Sequence, residues 1–253
     1  MSELTPEIVL QAYRAGIFPM AAHRDDADIK WYDPPRRGLL PVAELHVPKR
    51  LRRTILRERP YRITFDEDFG GVIRQCADIR PETWINDGII ALYTALYRQG
   101  HAHSVEAWRG DDLVGGVYGI AIGGAFFGES MFSRATDASK IALVHLVARL
   151  WRRGFELLDA QFVNDHLLQF GAYEVSRSEY RRRLAKAVAK KADFSQSGFF
   201  AGTGAATGAG SGAEPDAGTD LPPIGASSGA FSEEKTCGFD DVTLFLQSST
   251  QIS

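Results

Sequence analysis

Three polar side chains stand in otherwise apolar stretches of this sequence, and their types and spacing could do chemistry. Asp159 and Gln161 lie two apart in LLDAQ. Side chains two apart in a strand share a face, so a carboxylate and a carboxamide would sit side by side. Spacing alone leaves a second reading open, a strand end running into solvent. The third residue, Glu129, follows Phe126 and Phe127 and precedes Met131 and Phe132. An acid among such neighbours needs a partner. Either it forms a structural ion pair, with Lys140 or Arg134 as candidates, or it is a carboxylate placed to attract a cationic substrate.

Other reactive residue types suggest less. His101, His103, His145 and His166 lack mutual spacing typical of a zinc site, and Cys76 and Cys237 have no metal-ligand spacing. Neither a metal nor a cofactor is expected. A lone pair of cysteines in a chain this long favours a reducing compartment, the cytoplasm. No run of about 18 apolar residues is present, and MSELTPEIVL lacks the pattern of a signal peptide, so no membrane partner is expected. The formal net charge of -3 is uneven: residues 192–253 hold eight acids against Lys235 alone. The body without them has 28 basic and 24 acidic residues, a charge of +4 that permits a nucleic-acid partner without requiring one.

The elements that must position these residues read as α/β. Thr5 and Pro6 open a helix that Gly16 closes, with Ile8, Val9, Ala12 and Tyr13 on one face. Residues 31–40 are expected to be irregular, because Pro34 and Pro35 exclude a helix. A basic amphipathic helix should run over 48–59, a strand over 61–65, and helices over 69–77 and 89–99. Residues 104–132 alternate like three antiparallel strands broken at Gly110-Asp111-Asp112 and at Gly123-Gly124. A helix over 138–153 should bury Ile141, Val144, Leu146 and Val147 and stop at Gly154, followed by a buried strand over 155–161. Shorter helices near 164–170 and 178–191 complete the body.

That order, a meander followed by helix, strand and helix, is expected of an α/β (α+β) acyltransferase domain of the N-acetyltransferase kind, preceded by a small N-terminal domain. The expected division is 1–60 for the small domain with its basic helix, 61–191 for the catalytic domain, and 192–253 for a low-complexity acidic tail. Residues 197–229 are Gly, Ala, Ser and Thr with little to repay the entropy of ordering. The closing stretch 237–246 has enough apolar residues for a short strand or a docking peptide.

Several segments carry a specific resemblance. GIFPM at 16–20, TWI at 83–85, GHAHSVEAW at 100–108, LVGGVYG at 113–119, GESMFSRATDASK at 128–140 and DAQFVNDHLLQFGA at 159–172 resemble the bacterial leucyl/phenylalanyl-tRNA protein transferases, in order, over about residues 3–190. The resemblance implies transfer of Leu, Phe or, less so, Met from aminoacyl-tRNA to the α-amino group of proteins beginning with Arg or Lys, marking them for N-degron degradation. Leucyl-tRNA, phenylalanyl-tRNA and such proteins would be the partners of a monomeric enzyme, with no role for DNA. Acyltransferases that use coenzyme A carry a glycine-rich pyrophosphate loop where this chain reads MFSRATDASK, which disfavours acetyl-CoA. A related transferase acting on a different amine, and a tRNA-binding protein without turnover, are the competing readings. The chain starts close to the GIFP helix, so part of the small domain of longer members is expected to be absent.

The resemblance also implies roles. Gln161 would accept a hydrogen bond from the attacking amine, with Asp159 holding its amide. Proton removal would be shared with Asp159 or the terminal ribose hydroxyl. Glu129 and Asp159 would supply negative potential around the basic side chain of the acceptor. Val117, Phe126, Met131 and Leu143 match positions of the aminoacyl pocket. Trp84, with Tyr13 and Tyr93, would stack on the terminal adenine, although Met20 stands where members commonly have Trp.

Helix 48–59 contains Lys49, Arg50, Arg52, Arg53, Arg57 and Arg59 against Glu58 alone. Lys49, Arg52, Arg53 and Arg57 are assigned to tRNA phosphates, whereas the run Arg181-Arg182-Arg183 should simply face solvent. Charge reversal at Arg52 and Arg53 together is expected to weaken tRNA binding and lower its salt slope by about 2. Affinity unchanged in a filter-binding titration would remove the assignment.

Overall fold

The computed structural model describes residues 4–26, 28–79, 82–195 and 238–249. Helix α1 (Pro6–Arg14) is capped by Thr5, whose side chain accepts from the Ile8 amide. It leads into a separate hairpin of β1 (Phe18–Ala21) and β2 (Ile29–Tyr32). The chain enters the main sheet at β3 (Arg36–Leu40), which corrects the expected irregular segment. Pro34 and Pro35 do exclude a helix, but both precede β3, where neither removes a ladder hydrogen bond. A border at residue 60 would therefore cut the sheet, and the main body begins near Arg36.

After β3 come α2 (Lys49–Arg53), continued by a π-helical turn over Thr54–Glu58, then β4 (Arg62–Phe65), α3 (Phe69–Asp78) and α4 (Asp87–Arg98). The expected meander is β5 (Ala102–Arg109), β6 (Asp112–Ile122) and β7 (Ala125–Ser133). Helix α5 (Ala138–Arg152), β8 (Leu157–Gln161), α6 (Asp165–Leu168), β9 (Tyr173–Ser176), α7 (Arg177–Val188) and α8 (Gly238–Ser248) follow. The seven-stranded sheet runs β4-β5-β6-β7-β8-β3-β9. All its pairs are antiparallel except β7 with β8.

Period-two alternation sends neighbouring residues to opposite cores. Leu40, Phe126 and Leu158 join the core under α5, while Leu39, Phe127 and Leu157 join the one shared by α1, α3, α4 and α7. The pairing of β7 with β8 ends at Phe127 opposite Asp159, although β7 continues to Ser133. The two strands part there, and the wedge between them is the principal cavity.

Helix α5 is buried on nearly every side, which an amphipathic helix lying on a sheet would not be. Its outer face is covered by α8, which buries Val242, Phe245 and Leu246. Phe245 meets Trp151 at 5.7 Å between ring centroids, and Asp241 pairs with Arg152 at 3.6 Å. Of the two expectations for 237–246, the docking peptide is realised, in helical form. The tail expected over 192–253 is thus ordered at both ends, at 192–195 and 238–249, and its middle lies outside the described residues. Phe245→Ala should cost about 3 kcal/mol of stability, read as a lowered Tm in thermal unfolding of the full chain.

Candidate active site

Asp159 has no solvent exposure and Gln161 has 5%, so the strand does not run out into solvent. Their placement departs from simple alternation. Gln161 has φ of +61°, the left-handed region that a non-glycine residue enters at a cost of about 1–2 kcal/mol. Two features hold it there. Its backbone amide donates to Asp159 Oδ1 at 2.8 Å. It also lies opposite Gly38 on β3, next to a bulge at Gly38/Leu39, where a Cβ on Gly38 would come within 2.9 Å of the Phe162 backbone. Asp159 therefore binds the main chain of Gln161 and not its side-chain amide.

The cation that a buried Asp159 requires is Arg37, itself 1% exposed. Its Nε lies 2.9 and 3.0 Å from the two carboxylate oxygens, and Nη2 donates to Oδ2 at 2.7 Å. Nη1 donates to the Gly16 carbonyl at 3.1 Å. The guanidinium lies between the Phe18 and Tyr180 rings, 4.4 and 4.6 Å from their centroids. The Tyr180 hydroxyl donates to Asp159 Oδ2 at 2.6 Å. Burial works against the charge of Arg37, but Asp159 outweighs it and raises the pKa. Burial, followed by the Asp159 charge, keeps the Tyr180 phenol protonated.

Glu129 sits across the wedge on β7 and takes neither expected ion pair. Lys140 pairs with Asp137 at 2.9 Å, and Arg134 bonds Gln75. The donors to Glu129 are instead neutral: Tyr13 to Oε1 at 2.6 Å, Tyr93 to Oε2 at 3.0 Å, and the Gln161 side-chain amide to Oε1 at 3.1 Å. Burial pushes the carboxyl up to about 7; the hydrogen bonds of Tyr13, Tyr93 and Gln161 favour its ionised form, and the Asp159 charge opposes it. Burial and the nearby Glu129 charge raise both tyrosines well above the usual phenol range. With its Nε2 directed at Glu129, Gln161 has its carbonyl oxygen left to accept from another group.

The cavity in the wedge is about 730 Å³; Glu129, Asp159 and Gln161 line it together with an apolar group that includes Leu40, Val117, Met131 and Leu143 and a polar one that includes Asp137, Ser139 and Lys140. Val117, Met131 and Leu143 thus line it as expected. Phe126 does not: it is core, stacked on Phe194 at 5.6 Å, because its β7 position points under α5. Met20 lines the cavity, while Trp84 is partly buried against the other core and is not a lining residue. Tyr13 and Tyr93 are fully enclosed, so neither ring offers a free face to a base; their hydroxyls bond each other and Glu129. Asp159, unlike Glu129, is paired with a cation, Arg37.

Lys49, Arg53 and Arg57 are exposed and Arg52 is half-buried, while Leu51 and Ile55 anchor the segment. Arg50 and Arg53 line a second cleft of about 370 Å³ with Asp137, which also lines the main cavity. His103 bonds Asp66 at 2.8 Å, a role within the fold. Among the described residues no group of three or more His, Cys, Asp or Glu side chains could hold a metal ion.

Arg37 and Tyr180 were not legible as site residues. Arg37 follows Arg36 in a proline-rich stretch, and Tyr180 precedes three arginines. A usable signal exists in principle: in an extended segment one of two adjacent arginines must face inward, and a buried aspartate needs a cation.

The carboxyl of Glu129 is raised in the folded state, so the stability it confers is fully present below the ordinary carboxylate pKa. That stability is lost as pH rises through about 7. Glu129→Gln should therefore leave the protein more stable than the parent at pH 8, by on the order of 3 kcal/mol, with the difference vanishing below pH 4.5. Thermal unfolding of both proteins across pH 4–8 checks this, and a constant gap would contradict it.

The family model described as leucyl/phenylalanyl-tRNA protein transferase matches residues 39–185, and that for the N-terminal domain of the same proteins matches residues 2–35. Among curated relatives, the leucyl/phenylalanyl-tRNA–protein transferase of Hyphomonas neptunium is 58% identical over 192 residues, 75% of this chain and 74% of the relative. That of Paramagnetospirillum magneticum is 55% identical over 200 residues, 78% and 95% of the two chains. That of Caulobacter vibrioides is 56% identical over 193 residues, 75% and 88%. The split between the two family models falls where the chain enters the main sheet. With both models matched in order and more than half the residues shared with these relatives over most of their length, the chain belongs to the leucyl/phenylalanyl-tRNA protein transferase family.

Proposed function

We propose that this chain transfers Leu or Phe, and Met less well, from aminoacyl-tRNA to the α-amino group of proteins beginning with Arg or Lys. It acts as a cytosolic monomer and marks those proteins for degradation. The observation that carries this reading is the wedge itself: a cavity with an apolar patch of Val117, Met131 and Leu143 and one carboxylate left unneutralised. Of the lining carboxylates, Asp137 is paired with Lys140 and Asp159 with Arg37, while Glu129 has only neutral donors. An apolar aminoacyl side chain fits the Val117, Met131 and Leu143 side. A cationic N terminus fits the Glu129 side.

In the reaction the amine nitrogen attacks the ester carbonyl carbon, the new C–N bond forms, and the ester C–O bond to the terminal ribose breaks. The amine loses a proton and the ribose oxygen gains one. An aminoacyl ester is already activated, so placing the amine contributes most of what the protein must supply. The carbonyl oxygen of Gln161 accepts from the amine. Asp159 is ill placed as proton acceptor, since it is wholly buried and paired with the Arg37 cation, whereas Glu129 is only partly buried and faces neutral donors. Glu129, titrating near 7 beside Gln161, takes that role, because a base is most effective near the working pH. The exposed basic residues of α2 and its π-helical extension meet the phosphates of the acceptor stem.

The test is incubation with leucyl-tRNA and peptides beginning with Arg, Lys, Asp or Ala, followed by mass measurement. Addition of Leu confined to the Arg and Lys peptides is expected. Addition to the Asp peptide would redirect the reading to another acceptor class, and no addition at all would favour a binding protein. Glu129→Gln should raise the KM for the Arg peptide about tenfold and lower kcat by at least that factor, with tRNA affinity within about twofold. An equal loss of tRNA binding would remove Glu129 from the acceptor side.

A further inference from the structure

Gln161 reaches the cavity in a backbone conformation that the chain does not adopt unaided, and the group that holds it is anchored elsewhere. Asp159 Oδ1 accepts the Gln161 amide, yet Asp159 is itself enclosed and free to turn about its side-chain torsions unless fixed. Three donors fix it. Arg37 presents Nε and Nη2 in one plane to both oxygens, and Tyr180 closes Oδ2 from α7. Arg37 in turn is aimed by the Gly16 carbonyl and clamped between Phe18 and Tyr180. Gly16 takes φ of +85°, and a Cβ there would come within 3.1 Å of the Tyr180 ring, so the N-terminal segment closes tightly on the same group.

We propose that Arg37 is a positioning residue of the transfer reaction: through Asp159 it locks the Gln161 backbone in the left-handed conformation that presents the Gln161 side chain to the amine. The inference rests on the function proposed above and adds to it the residue that sets the geometry of Gln161. The guanidinium shape matters as well as its charge. A lysine ammonium could neutralise Asp159, but it could not bind both oxygens in one plane and reach Gly16 together. Stability alone does not call for such a pair, since a buried ion pair is often replaceable by apolar residues without loss. The strained amide at Gln161 does call for it, because it needs an acceptor held in one orientation.

Arg37→Lys retains the charge and is the informative variant; Arg36→Lys, one residue away on the exposed face, is the control. With leucyl-tRNA and an Arg peptide, Arg37→Lys should lower kcat at least tenfold while both KM values stay within twofold. The same change in a Gln161→Ala background should then lower kcat by less than twofold further, because its target is already gone. A merely structural role would instead multiply the two losses. If Arg37→Lys does not fold, Tyr180→Phe keeps the ring over the guanidinium, removes one bond to Asp159, and should show the same non-additivity with a smaller first loss. Amide exchange at Gln161 reads the lock without any assay of activity: protection there should fall at least tenfold in Arg37→Lys or Tyr180→Phe, with Leu157 and Leu158 unchanged. Unaltered protection at Gln161, or losses in kcat that multiply, overturns the proposal. If the parent protein transfers nothing, the proposed function falls, and the exchange measurement still decides whether Arg37 holds Gln161.

Discussion

A carboxylate with no access to water has to be compensated on the spot, and most of the architecture around Asp159 follows from that requirement. Stripping the charge of water costs several kcal/mol, and the cation that pairs with Asp159 is not a neighbour in the sequence. The cation comes from β3, 122 positions away, which lies directly beside β8 in the sheet. The phenol comes from α7, and the acceptor that aims the guanidinium comes from the loop after α1. Segments from both ends of the body thus meet at one side chain, and the N-terminal segment is fixed to the seven-stranded sheet by that meeting.

The same wedge treats Asp159 and Glu129 in opposite ways. Asp159 faces a permanent cation and is tied into the main chain. Glu129 faces two phenols and an amide, which favour its charge without neutralising it, while burial works against that charge. One group therefore serves as a fixed anchor, and the other keeps a charge that responds to pH near 7. The parting of β7 from β8 makes the difference possible, since it opens a cavity between two strands that are paired only as far as Phe127 and Asp159.

Helix α5 forms the floor of that cavity, contributing Leu143 and Leu146. It lies between the sheet and α8, so a segment lying beyond the matched family models helps to bury a helix that lines the wedge.

The sequence by itself determined the helices α1, α3, α4, α5 and α7, the alternation of β5 to β7, the inward face of α5 and the motifs GESMFS and LLDAQ. These are local signals: periodicity, turn residues and contiguous spacing survive in one dimension. That Val117, Met131 and Leu143 belong together came from the family resemblance, and they do line one cavity. Only the tertiary structure decided that Arg36–Leu40 is an inner strand, that Phe126 turns away from the cavity, and that Tyr13 and Tyr93 support Glu129 instead of offering faces to a base. The pairing of Arg37 with Asp159 was likewise beyond reach. An arginine after two prolines reads as solvent-facing until the strand beside it is known, because which face of a strand is buried depends on its neighbours and not on its own residues.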